Sequence, residues 1–158
     1  METADRATEV DLVELERLWE RAVAELDGQR GGWSLAGSLW RGDLARFLRS
    51  ALAEEDRLLV LGRVDGRAVG LASLWADRGR REPLGQLELL YVEPDSRQAG
   101  VAAAMLAVVT SRCEEWGMAG LDAPALPGNR AAKSFFERQG MQARMLIMHK
   151  PLGGGPRA

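Results

Sequence analysis

The run Leu89-Leu90-Tyr91-Val92-Glu93-Pro94-Asp95-Ser96-Arg97-Gln98-Ala99-Gly100-Val101-Ala102 reads as a buried strand, a tight loop of small residues and the start of a helix. Such a junction binds anions: the first N–H groups of a helix lack intrahelical acceptors, point outward, and carry the positive end of the helix dipole. A pyrophosphate fits only where no bulky side chain stands before those amides, and Ala99, Gly100 and Ala102 leave the space open. A carboxylate able to accept a proton, Glu88, lies four residues before Val92, on the same side as Leu90 and Val92 by strict strand alternation. Tyr91, the only tyrosine, points the other way. Cys113 is the only cysteine, so the chain has no intrachain disulfide and no thiolate zinc cluster. Its mostly apolar surroundings make it a packing residue rather than a nucleophile, and no acyl-enzyme is expected. His149, the sole histidine, ends the last apolar run and takes no role.

The elements that position these residues follow from periodicity. Leu12, Leu15, Trp19, Ala22 and Leu26 share one helical face behind a Thr8 cap, residues 29–32 form a loop, and Leu44, Phe47, Leu48, Ala51 and Leu52 stripe a second helix behind Asp43. Residues 57–64 and 67–76 are strands joined by Asp65-Gly66, a pair suited to the positive φ values of a two-residue type I′ turn. Residues 78–83 are a charged loop. Residues 85–92 form a leucine-dense strand expected to be buried on both faces. Residues 101–109 contain no polar side chain, which predicts a helix covered on more than one side. A strand over 117–121, a helix over 129–139 and a last strand over 141–148 complete the order α, α, β, β, β, α, β, α, β. Residues 1–152 read as one domain, and the glycine-rich tail 153–158 as mobile unless something docks it.

Arg97, Gly100 and Ala102 match the acyl-CoA signature of the GNAT acetyltransferases (Arg or Gln, two residues, Gly, one residue, then Gly or Ala), in the expected place between a strand and an apolar helix. The run Asn129-Arg130-Ala131-Ala132-Lys133-Ser134-Phe135-Phe136-Glu137-Arg138-Gln139-Gly140-Met141 is similar to the second conserved block of the same family. The chain therefore resembles GNAT proteins, well over residues 57–152 and loosely before them. The resemblance implies an α/β (α+β) fold: a mixed, mostly antiparallel sheet flanked by helices, with a splayed acyl-CoA cleft. By position, Leu90, Tyr91 and Val92 offer backbone groups to the pantetheine arm. Arg97 and the amides of Gln98, Ala99, Gly100, Val101, Ala102 and Ala103 hold the pyrophosphate, while Asn129 and Phe136 meet the cofactor from the other side. A β-bulge in the strand over 85–92 exposes an amide that polarises the thioester carbonyl. Two departures stand out. The family opens with an apolar first strand, but residues 1–7 are polar, so the sheet is expected to begin with the hairpin. The family's frequent tyrosine acid falls on Phe136.

An alkylammonium acceptor has a pKa of about 10 and must lose a proton before attack. The resemblance puts Glu88 in that role, since Gln86, the other position used for a base, is an amide. The leaving thiol, of pKa about 8.5, departs as thiolate with help from water or Ser134. The expected activity is acetyl transfer from acetyl-CoA to a primary amine of a small molecule, peptide or protein in a ternary complex, releasing coenzyme A. The alternatives are a non-catalytic acyl-CoA-binding or sensing domain, suggested by Phe136 and Gln86, and a structural dimerisation domain with an empty cleft. Trp33 and Trp40 fall where the family walls the acceptor pocket. A net charge of −2 gives no basic surplus for nucleic acid, no apolar run spans a bilayer, and residues 1–11 lack a signal-peptide pattern. A cytoplasmic protein is expected, with no metal and possible homodimerisation through the last strand.

Overall fold

The computed structural model describes residues 1–37, 39 and 42–157. The chain forms two compact units: Met1–Ala22 with Trp40–Pro124, and Val23–Leu39 with Ala125–Ala158. The first contains a five-stranded sheet in the order β1 (Glu2–Arg6), β2 (Arg57–Val64), β3 (Arg67–Asp77), β4 (Leu84–Val92), β5 (Gly120–Asp122). β1 to β4 are antiparallel neighbours, and β5 joins β4 in parallel after a crossover through α4 (Val101–Glu115). The β2–β3 hairpin turns on Asp65 and Gly66 at φ 48° and 82°, the two left-handed residues of a type I′ turn.

The polar N-terminus does form a strand. Glu2–Arg6 pairs with Arg6↔Val60 through Glu2↔Val64, correcting the expectation that the sheet starts at the hairpin. An edge strand needs backbone partners on one side only, and exposed charged residues there discourage edge-to-edge association. α1 (Leu12–Asp27) buries Leu15, Leu18, Trp19 and Ala22, and α3 (Leu44–Ala53), packed on β2, buries Leu48 and Ala51. Thr8 N–H donates to Asp11 Oδ2 at 2.9 Å before α1, and Asp43 Oδ1 accepts from Arg46 N–H at 3.1 Å at the start of α3.

α4 packs across all five strands. Three glycines make the close approach possible: a Cβ on Gly62 would lie 2.3 Å from Val101 Cγ1, on Gly70 2.7 Å from Met105 Cε, and on Gly85 2.4 Å from Cys113 Sγ. The helix buries Val101, Met105, Leu106, Val109 and Cys113 but exposes Ala107, so within this unit it is covered on one face rather than on several. Alanines favour the helix without demanding burial. β4 likewise alternates, with Gly85, Leu87, Leu89 and Tyr91 buried and Gln86, Glu88 and Leu90 half-buried, rather than being buried throughout.

The second unit contains α2 (Gly32–Ala36), a short helix the periodicity did not predict, and α5 (Arg130–Arg138). Residues 141–150 are not a strand: no ladder partner pairs with them among the described residues, and Met145, Leu146, Ile147 and Met148 are exposed. Apolar composition alone predicted that strand, but a strand exists only with a neighbour to bond. The tail is docked: Trp33 Nε1 donates to the Arg157 carbonyl at 2.8 Å, and His149 Nε2 lies 2.9 Å from the Pro156 carbonyl oxygen.

Candidate active site

The sheet is irregular at Glu88. Ser73 faces Leu89 and the adjoining Leu74 faces Leu87, so Glu88 is the extra residue of a β-bulge in β4. Its Oε1 accepts from Ser73 Oγ at 2.7 Å and from Arg57 Nη1 at 2.8 Å. The Arg57 guanidinium in turn lies 5.4 Å from the centre of the Phe47 ring, with Glu54 Oε2 3.3 Å from its Nε. Phe47 packs edge-on against buried Trp19 at 5.4 Å. Glu88 and Arg57 are both about one-fifth exposed, so the pair is reachable yet shielded. Arg57 and Ser73 escaped the sequence reading because they meet Glu88 from 31 and 15 residues away.

β5 accompanies β4 only from Leu84↔Gly120 to Gln86↔Asp122. Beyond that point the outer edge of β4 has no ladder partner among the described residues, which is the splay expected of an acyl-CoA cleft. Glu93 N–H donates to Val69 O, so backbone groups of the odd residues turn towards β3 and those of Leu90 and Val92 turn towards the open edge. Tyr91, named with them, pairs instead with Leu71 of β3 and is buried, as alternation away from Glu88 required. The Val92 carbonyl accepts from Arg97 Nε at 2.9 Å, which ties the following loop back to the strand.

That loop has Gln98 and Gly100 exposed and Ala99 half-buried, and the Ala99 N–H donates to Ser96 O at 3.3 Å. Gly100 sits at φ 80° immediately before α4, and a Cβ there would meet nothing within 4 Å. The amides of Val101, Ala102 and Ala103 open the helix without intrahelical acceptors. These residues fit a coenzyme A pyrophosphate: the donors are present, and the ground in front of Gly100 is clear. The start of the loop is fixed by Glu93, a buried carboxylate missed in the sequence. Its Oε1 takes Arg17 and Arg21 from α1, and its Oε2 lies 3.3 Å from Arg67 Nη2. Desolvation opposes the charge on Arg17, but its hydrogen bonds to Glu14 and Glu93 outweigh that and hold its pKa above the ordinary value.

In the second unit, Asn129 caps α5, its Oδ1 accepting from Ala132 N–H at 3.0 Å. Phe136 is half-buried against Phe135, with ring centres 5.4 Å apart, and Ser134 is exposed. Trp33 contacts the His149 ring at 5.1 Å, and Trp40 lies outside the described residues. Burial, reinforced by the charge of Glu114, pushes the Cys113 thiol up to about 11, which keeps it protonated and unreactive.

The model of the acetyltransferase (GNAT) family matches residues 15–141. The chain belongs to that family. Among solved GNAT structures, it superposes on the aminoglycoside acetyltransferase meta-AAC0020 from an uncultured soil metagenomic sample, in complex with trehalose. There the TM-score is 0.72 and the identity 15%, over 96% of this chain and 95% of that one. AAC(6')-Iy in complex with the bisubstrate analogue CoA-S-monomethyl-acetylneamine gives 0.72 at 18% identity, over 96% and 99%. The ribosomal-protein-alanine N-acetyltransferase from Brucella melitensis biovar Abortus 2308 gives 0.67 at 18%, over 94% and 99%. Identities this low establish the shared fold and no acceptor. No curated protein sequence matches the chain. Among the described residues, no helix is long and apolar enough to cross a membrane.

Proposed function

We propose that this GNAT protein transfers an acetyl group from acetyl-CoA to a primary amine bound beside it, with Glu88 accepting the proton of the amine. The observation that carries this reading is the bulge in β4, which sets a half-buried carboxylate two residues before the open-edge backbone of Leu90. Acetyl-CoA supplies the acetyl group as a thioester. The Leu90 N–H faces the open edge and is the donor for the negative charge that grows on the carbonyl oxygen, a contact that strengthens as the barrier is crossed. The amides of Gln98, Gly100, Val101, Ala102 and Ala103 bind the pyrophosphate, with Ala99 and Ala102 keeping the approach clear. Arg97 holds the loop in shape through Val92. Glu88 removes the ammonium proton, without which the nitrogen has no lone pair for attack. Bringing amine and thioester together supplies much of the remaining acceleration.

The family model spans residues of both units, which supports reading 1–152 as one acetyltransferase domain. The exposed run Met145 to Met148 supports a homodimer. The acceptor is a primary amine of a small molecule, peptide or protein, since structural neighbours include both aminoglycoside acetyltransferases and a ribosomal-protein-alanine N-acetyltransferase. The competing reading, an acyl-CoA-binding domain without turnover, is favoured by Phe136 at the family's tyrosine position. Amine-dependent thiol release separates the two. Glu88→Gln is expected to slow release by about 10²–10⁴-fold while acetyl-CoA still binds. Cofactor binding by the wild type with no release for any primary amine would establish the binding domain instead.

A further inference from the structure

We propose that Arg57 is a positioning residue for Glu88: with the Ser73 hydroxyl it occupies Oε1, so that Oε2 is the atom that takes the amine proton. The inference rests on Glu88 being the base. Both bonds to the carboxylate, from Arg57 Nη1 at 2.8 Å and Ser73 Oγ at 2.7 Å, converge on Oε1, and among the described residues Oε2 has no hydrogen bond or ion pair. An oxygen accepting two strong donors, one of them charged, is the weaker proton acceptor of the two. The fully buried Ser73 hydroxyl has one hydrogen to give, and giving it to Glu88 requires the acceptor oxygen to be unprotonated.

The arrangement is fixed from behind. A bulge residue lies outside the regular ladder and its side chain would otherwise swing, but Arg57 is anchored by the Phe47 face, by Glu54 and by its place at the start of β2. Phe47 is held in turn by Trp19, 2% exposed. In the step itself, the N–H bond of the ammonium breaks and its proton goes to Oε2. The freed lone pair then forms the C–N bond to the acetyl carbon, the C–S bond breaks with its electron pair on sulfur, and the second nitrogen proton passes to solvent. Arg57 touches none of these atoms; it sets which oxygen faces them.

The test measures thiol release from acetyl-CoA with sisomicin, spermidine and benzylamine as acceptors, on wild type, Arg57→Ala, Arg57→Lys, Glu88→Gln and the Arg57→Ala/Glu88→Gln double variant. Arg57→Ala is expected to lower kcat by about ten- to a hundredfold, a share of what the base itself contributes, while KM for acetyl-CoA changes by less than about threefold. Added guanidinium ion is expected to restore part of the lost kcat in Arg57→Ala and none in the double variant, a response that lost folding would not give. Arg57→Lys keeps the charge but not the fork, and is expected to fall between wild type and Arg57→Ala, which covers the case in which the alanine variant folds poorly. If Glu88→Gln is inactive but Arg57→Ala turns over normally, the role of Arg57 is overturned and Glu88 stands. If Glu88→Gln is as active as wild type, or wild type releases no thiol with these amines, the base reading fails and takes this one with it.

Discussion

Replacing Gly100 by Glu places a carboxylate before the first turn of α4. Gly100 is at φ 80°, so any side chain there carries a backbone cost of roughly 1–2 kcal/mol, equal for Ala and Glu. A Cβ meets no atom within 4 Å, so neither substitution clashes with the folded protein. What differs is charge. A glutamate about 5 Å from one unit of phosphate charge is opposed by ~1–3 kcal/mol between the limits of water and protein surface. That corresponds to about a fivefold to 150-fold loss of affinity. The exposure of Gly100 and the salt of the buffer favour the lower half of that range. Calorimetric titration with acetyl-CoA is expected to give Gly100→Ala a Kd within about threefold of wild type and Gly100→Glu a Kd raised by about five- to thirtyfold, the gap narrowing at high salt. Equal affinity for all three proteins would refute the assignment of the loop. Equal weakening of both variants would show that backbone strain, not charge before the helix, governs binding.

Gly85→Ala drives a methyl group to 2.4 Å from Cys113 Sγ. It is expected to cost about 1–3 kcal/mol and to lower Tm by several degrees, and an unchanged melting curve would mean that α4 lies further from the sheet. For Cys113, the folded-state pKa is raised from 9.0 to about 11, so its stabilising contribution is complete below about pH 9 and is lost as pH rises through about 11. At pH 8, the two-unit shift leaves about a hundredfold less thiolate than in the unfolded chain, so native labelling by iodoacetamide should be slower by at least that factor. Equal labelling rates in native buffer and in urea would contradict it.

What the sequence revealed was local or patterned over one element. Asp65-Gly66 carries its own turn geometry, Asp43 its own cap, and the spacing of Arg97, Gly100 and Ala102 between strand and helix is a complete local signal. What it concealed depended on distant partners. Polar residues 2–6 form a strand because β2 offers them an edge, and apolar residues 141–148 do not, having no ladder partner among the described residues. Glu88 was named and the resemblance implied a bulge in its strand, but that the bulge falls on Glu88 itself is a mismatch between two strands and leaves no mark on either alone. Arg57 looked like an ordinary charged strand terminus, and Glu93 like a loop residue, until folding gathered their partners around them.

We propose acetylation of primary amines by this GNAT chain, with Glu88 taking the proton. Mass spectrometry of a primary-amine panel incubated with acetyl-CoA and either wild-type protein or Glu88→Gln tests it directly. The expected result is an amine gaining one acetyl group with wild type, and product lower by about 10²-fold or more with Glu88→Gln. Equal product from the two proteins would contradict the role of Glu88, and no acetylated amine from wild-type protein would contradict the transfer itself.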